Sequence, residues 1–324
     1  MKQRSVQSEN DDTGESLLSA DRVSTSSAVN ERLRSPARNI VAGDIRYKHI
    51  LDTSAWNALF DDPNQDSILE MLQTKAILPT SLAISEVAAI EDQERRLALF
   101  RLMKTAGRDN RPLATPNQLI ILACQGYARR DRVLTLSGGD DAEGAWIALN
   151  DPTLVDAQAQ RMALEFNRER ENVFRSWNEV LRNTLQATFK SGVARPRSLG
   201  ALIRHYARND AFLYGVVNPI YERAVGKPLP HGELWPLLNS LPHWRMFLMG
   251  YACAIYQRAV REQGYGHKRN PGHLDLWSAT YLPSCEIFIT DDKRQRRALK
   301  IINTGSARRA QIVSYGDWRE PFLR

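Results

Sequence analysis

Apolar and polar positions follow two rhythms along this chain. Near both ends short apolar runs stop abruptly at acids, while the middle repeats apolar positions three and four apart. Tyr47 with Ile50-Leu51 predicts a strand that ends at Asp52, followed by a helical pattern from Ala55 to about Lys75. Ala76-Ile77-Leu78-Pro79 predicts a second short strand closed by its proline. Ser81 to Ile90 predicts an almost wholly apolar helix opened by a serine cap. Glu91 to Lys104 predicts an amphipathic helix with Arg95, Arg96 and Arg101 on a solvated face.

Pro112 and Pro116 mark a loop, Asn117 to Arg130 a helix, and Ser137-Gly138-Gly139-Asp140-Asp141 a turn-rich break. Residues 153–265 read as helices with little strand signal: Leu154 to Lys190, Leu199 to Arg208, a segment around Tyr214 to Val225, and Pro242 to about Gln263. Phe174, Trp177 and Leu181 sit at helical spacing and read as packing residues, and Arg195, Arg197, Arg204 and Arg208 as a solvated face. Strand character returns after Asn270-Pro271-Gly272. His273 to Leu282 predicts a helix, Glu286 to Thr290 a strand ending in Asp291-Asp292, and Ala310 to Val313 a last strand. Between those strands lies a basic helix with Lys293, Arg294, Arg296, Arg297 and Lys300.

Composition changes this picture at three points. Residues 1–45 are polar, nearly neutral in sum and without sustained apolar period, so a flexible tail is expected there. The whole chain of 324 residues carries a formal charge of +7, a surface that attracts polyanions. Cys124, Cys253 and Cys285 are too far apart in sequence for a zinc knuckle or redox pair, and isolated His205, His231 and His243 give no metal-ligand spacing. The start lacks the apolar core of a signal peptide, and the longest nearly uncharged apolar run is Met246 to Tyr256. The expectation is a cytoplasmic protein with no membrane partner.

The chemistry gathers at the ends of strands. Asp52 follows one strand and Asp291/Asp292 another, and Asp52, Thr53 or Ser54 could equally cap the next helix. Glu86 sits among apolar helical neighbours, where a carboxylate calls for a positive partner: a buried arginine or a metal ion. Asp275 falls in a helix's first turn, a place acids favour on electrostatic grounds alone. If the strands are parallel, these acids converge on one edge, and a divalent cation relieves their repulsion. An all-oxygen site of that kind suits Mg²⁺ or Mn²⁺.

Asp52-Thr53-Ser54, Glu86, Asp275 and Thr290-Asp291-Asp292, in this order and at these element boundaries, resemble the acidic signature of PIN-domain ribonucleases. Val313-Ser314-Tyr315 with Gly316-Asp317-Trp318 also resembles that family's last strand and tail. The resemblance implies a three-layer α/β/α fold with a central parallel sheet and Mg²⁺- or Mn²⁺-dependent cleavage of single-stranded RNA. It implies Asp52, Glu86, Asp275 and Asp292 as metal-binding catalytic acids, with Asp291 the other claimant to the fourth place. Thr53, Ser54 and Thr290 would support them or orient a metal-bound water.

The domain plan is then a tail over 1–45, a first PIN-like half over 46–109, a helical insertion over 110–266 and a second half over 267–324. The basic helix would hold the RNA backbone. The insertion offers a surface for an antitoxin, another protein or a second copy of the chain. A toxin or defence nuclease fits this plan. Two alternatives stay open: an inactive PIN-like binding or scaffold module, and a DNA nuclease of the flap-nuclease type.

Overall fold

The short apolar runs form a four-stranded parallel sheet in the order β2-β1-β3-β4. These strands are β1 (Lys48–Leu51), β2 (Ala76–Ile77), β3 (Ile287–Ile289) and β4 (Gln311–Val313). The computed structural model describes Ile40 and residues 48–72, 76–155, single positions between 160 and 183, and residues 196–207, 209–256, 276–306 and 309–323. Most of the expected tail, Tyr47, most of the 154–190 stretch, Arg195, Arg208, the far end of the helix from Pro242, and Asp275 lie outside the described residues. Helix dominates the rest, so the class is α/β with a small parallel sheet.

The helices are α1 (Thr53–Phe60), α2 (Gln65–Met71), α3 (Ser81–Ala88), α4 (Gln93–Gly107), α5 (Pro116–Arg129) and α6 (Asp140–Asn150). They continue with α7 (Leu199–Ala207), α8 (Asp210–Val225), α9 (Leu234–Ser240), α10 (Pro242–Ile255), α11 (Lys293–Asn303) and α12 (Tyr315–Arg319). A 3-10 segment, Ser278–Ser284, precedes β3.

Register explains the packing. Leu51 pairs with Ile289, which pairs with Val313, and Ile50 pairs with Phe288, which pairs with Ile312. Successive strand residues point to opposite faces. Ile50, Phe288 and Ile312 therefore join one core with Leu119, Met246, Tyr281 and Leu299. Leu51, Ile77 and Ile289 join another with Trp56, Val87, Phe100 and Trp318. A third core, around Val217, Leu237, Trp244 and Phe247, belongs to the helical region. Helix α10 serves two of these cores, and it lies so close to the chain just before the 3-10 segment that a Cβ on Gly250 would stand 2.7 Å from the Leu276 carbonyl.

Several local expectations are corrected. The helix expected from Ala55 to Lys75 is two helices, because Pro63 sits in the turn between α1 and α2. Thr80, not Ser81, caps α3, its hydroxyl accepting the Ala83 N–H at 3.2 Å. The break expected at 137–141 holds through Gly139, but its last two residues open α6, with Asp140, Asp141 and Glu143 in a first turn whose dipole favours acids. Arg96 is 4% exposed and donates to the Ile90 carbonyl, so it does not belong to a solvated face. Ile40, inside the expected tail, is buried; its N–H donates to Ser137 Oγ at 2.9 Å and its carbonyl accepts the Leu136 N–H at 2.7 Å. All three cysteines are buried thiols, and no described helix is long and apolar enough to cross a membrane.

Candidate functional site

The sheet order creates the site. From β1 the chain goes to β2 on one side, and it later returns to β3 on the other. In open parallel sheets the crevice at such a reversal, beyond the carboxyl ends of the strands, is where ligands bind. Asp52 follows β1 directly, and Thr290-Asp291-Asp292 follows β3. The Asp52 N–H donates to the Ile289 carbonyl at 3.0 Å, so the two strand ends are joined up to the acid itself. A cleft of about 190 Å³ opens there, lined by Asp52, Glu86 and Asp292 together with Thr53, Ser54 and Gln295.

Asp52 caps α1 as well as lining the cleft. Its Oδ1 accepts the Ala55 N–H and the Ser54 hydroxyl, each at 2.8 Å. Burial pushes its carboxyl up to about 6, although hydrogen bonds from Thr290, Ala55 and Ser54 oppose the rise, and the charge of Asp292 adds to it. The helix-cap reading and the functional reading of this acid thus describe the same geometry.

Glu86 reaches the cleft from α3, and the Thr53 hydroxyl donates to its Oε2. Asp292 caps α11: its Oδ1 accepts the N–H groups of Arg294 at 2.6 Å and Gln295 at 3.0 Å. Asp291 is turned elsewhere. It is exposed, accepts the Tyr315 N–H at 2.9 Å through Oδ1, and is not among the cleft-lining residues. Of the two adjacent acids it is therefore Asp292 that faces Asp52 and Glu86.

Hydroxyls tie these acids together. Ser54 Oγ receives the Asp291 N–H at 2.8 Å while donating to Asp52. Thr290, fully buried, receives the Asp292 N–H at 3.1 Å and stands 2.6 Å from Gln295 Oε1. Its hydroxyl also helps to hold down the Asp52 carboxyl against the effect of burial. Gln295, 2% exposed, was missed by sequence reasoning. A signal existed: it is a polar residue, as Asn303 is, on the buried face of α11 with Ala298, Leu299 and Ile302, and it stands three residues after the Asp292 cap.

The basic residues of α11 divide. Lys293, Arg294, Arg297 and Lys300 are exposed, whereas Arg296 is half-buried and donates to the Thr290 carbonyl at 3.3 Å. Arg296 thus braces the wall of the cleft.

Among the described residues no group of three or more His, Cys, Asp or Glu side chains stands in an arrangement that could hold a metal ion. Glu86 accepts from the Thr53 hydroxyl, and Asp292 from the first turn of α11. Asp275, the fourth expected acid, lies outside the described residues. The donor chemistry of the cleft still fits a hard cation, since among the described residues its lining supplies carboxylates, hydroxyls and an amide but no sulfur or imidazole. No protein-family model, curated protein or solved structure matched this chain.

Proposed function

We propose that this chain is a Mg²⁺- or Mn²⁺-dependent endoribonuclease acting on single-stranded RNA, built on a PIN-like three-layer α/β/α core. One observation carries the proposal. Asp52, Glu86 and Asp292, from three separate elements, line one cleft at the point where the parallel sheet reverses direction. The two apolar cores on opposite faces of the sheet support the three-layer arrangement.

A bound divalent cation would stabilise the charge that develops on the phosphoryl oxygens and make water a better nucleophile at neutral pH. Asp52, Asp292 and Glu86 would hold it, once Glu86 exchanges its Thr53 contact for the ion. Asp52, with a carboxyl near 6, is charged at neutral pH and protonated in mild acid, so protons and cation compete for it. Ser54 and Thr290 fix the orientation of that carboxylate. Exposed Lys293, Arg294, Arg297 and Lys300 offer positive charge to the backbone of a polyanionic strand beside the acids.

The test is Asp52→Asn. Asparagine caps a helix about as well as aspartate, so the fold survives. The expected result is loss of Mn²⁺-dependent cleavage of single-stranded RNA with an unchanged circular dichroism spectrum. Equal cleavage by parent and variant, or cleavage unaffected by chelator, would sink the proposal.

A further inference from the structure

The basic face of α11 leads away from the cleft toward a second cavity. Asp292 caps the start of the helix, and Lys293, Arg297 and Lys300 recur at four- and three-residue spacing along its exposed side. The opposite side, with Gln295, Ala298, Leu299 and Ile302, is buried. From Lys293 to Lys300 the stripe runs about 10 Å along the helix. The helix contains no acid, although Asp317 of α12 feels Arg296 and Lys300, which help to hold its carboxyl below the usual range along with the leading hydrogen bond from Ser314.

Gly305, two residues past the end of α11, forms part of the wall of a groove of about 370 Å³ between α7, α8, α9 and α10. That volume lies in the range of ligand-sized clefts. Trp235 of α9 lines it and is 40% exposed, while its Nε1–H donates to Asp210 Oδ1 at 3.1 Å. The bond fixes the indole without covering it. Phe212 and Leu238 continue the apolar wall, and exposed Arg245 of α10 adds a cation. An exposed, anchored indole and a guanidinium lining one groove are groups on which unpaired bases stack, and single-strand binders join such platforms to a basic path for the backbone.

We propose that this groove is a subsite for an unstacked base of single-stranded RNA, whose backbone follows the basic face of α11 from the acidic cleft. The subsite rests on the nuclease reading for its direction but is a separate surface, contributed by the helical region. The place of Gly305 in the groove wall, five residues past Lys300, and the Arg245 cation among the lining residues favour a polyanion carrying aromatic bases over a purely apolar ligand.

Fluorescence anisotropy of a labelled twelve-nucleotide oligouridine tests this, with full-length Asp52→Asn as the non-cleaving parent. Adding Trp235→Ala is expected to weaken binding roughly tenfold, and Trp235→Phe to restore most of it. A strand of equal length made of abasic residues should bind the parent weakly and be indifferent to Trp235→Ala. Lys300→Ala should weaken both strands and lower the salt dependence of binding. Equal affinity of parent and Trp235→Ala for oligouridine would overturn the subsite, as would displacement of a fatty acid from the groove with no effect on RNA. Cleavage by the chain with native Asp52 is scored separately. Cleavage without a Trp235 effect removes the subsite and leaves the nuclease reading, while a Trp235 effect without cleavage does the reverse.

Discussion

Ser54 donates its hydroxyl proton to Asp52 Oδ1 across 2.8 Å, and by accepting the Asp291 N–H on its own Oγ it links the carboxyl ends of β1 and β3. The serine stabilises the charged form of a carboxyl that burial already pushes up to about 6. Ser54→Ala removes that donor, so the Asp52 carboxyl moves further up. If charged Asp52 is needed, the acid limb of the rate profile moves toward higher pH, by about half a unit to one unit. A profile measured at limiting Mn²⁺ checks this. An acid limb that stays in place would show that Asp52 is not the titrating group.

The strand-to-acid pattern was legible in the sequence because a small parallel sheet buried on both faces leaves short apolar runs, and the runs end where the chemistry starts. Ile50-Leu51 before Asp52 and Ile287-Phe288-Ile289 before Thr290 are of this kind. Legibility fell where tertiary packing overrides the local pattern. Arg96 lies on a helix that packs against α1, α3 and α6, so a residue that periodicity assigns to solvent is enclosed and spends its guanidinium on a carbonyl. Gly139-Asp140-Asp141 reads as a turn, yet its acids meet the positive end of α6. Gln295 escaped notice because its role depends on Thr290, and the two come together only when the end of β3 meets the first turn of α11. The choice between Asp291 and Asp292 as the acid facing Asp52 likewise turned on a contact that adjacent residues cannot reveal: the Tyr315 N–H that draws Asp291 away.

A buried imidazole makes stability fall in mild acid. His243 is 3% exposed, its Nε2 lies 2.7 Å from Ser284 Oγ, and burial alone lowers its titration from 6.5 to about 4. Between those values the unfolded chain binds the proton and the folded chain refuses it. Stability is therefore full above pH 6.5 and declines as pH falls toward 4, by on the order of 3 kcal/mol. Asp52 acts in the opposite sense: its raised carboxyl gives stability that is full below pH 3.8 and lost as pH rises through about 6. His243→Leu separates the two. Urea unfolding of the variant should show a cost of about 1–2 kcal/mol at pH 7.5, from an unpartnered Ser284 hydroxyl, and a smaller loss than the parent on going to pH 5. Parallel pH dependences for parent and variant would assign the acid loss elsewhere.

A buried carboxylate helps to fasten the end of the described chain, and that contact bears on the cleft. Asp62, in the turn between α1 and α2, has a side chain 1% exposed. Its Oδ2 accepts from Arg319 Nη1 at 2.6 Å and the Tyr315 hydroxyl at 2.8 Å, while its Oδ1 accepts the Asn64 N–H at 2.9 Å. Burial raises this carboxyl, but the Asn64, Arg319 and Tyr315 hydrogen bonds outweigh it and hold it below 3.8. With the folded value depressed, the stabilisation is present above the unfolded value and is lost as pH falls through the folded one. Asp62→Ala leaves the Tyr315 hydroxyl and the Arg319 guanidinium to find other partners and is expected to destabilise by about 2–3 kcal/mol, more than Arg319→Ala at about 1–2. Because the Tyr315 N–H also holds Asp291 away from the cleft, loosening α12 frees Asp291 to approach Asp52. Asp62→Ala should therefore lower cleavage as well as the melting temperature. If it lowers only the melting temperature, α12 is a structural clasp with no hold on the acids.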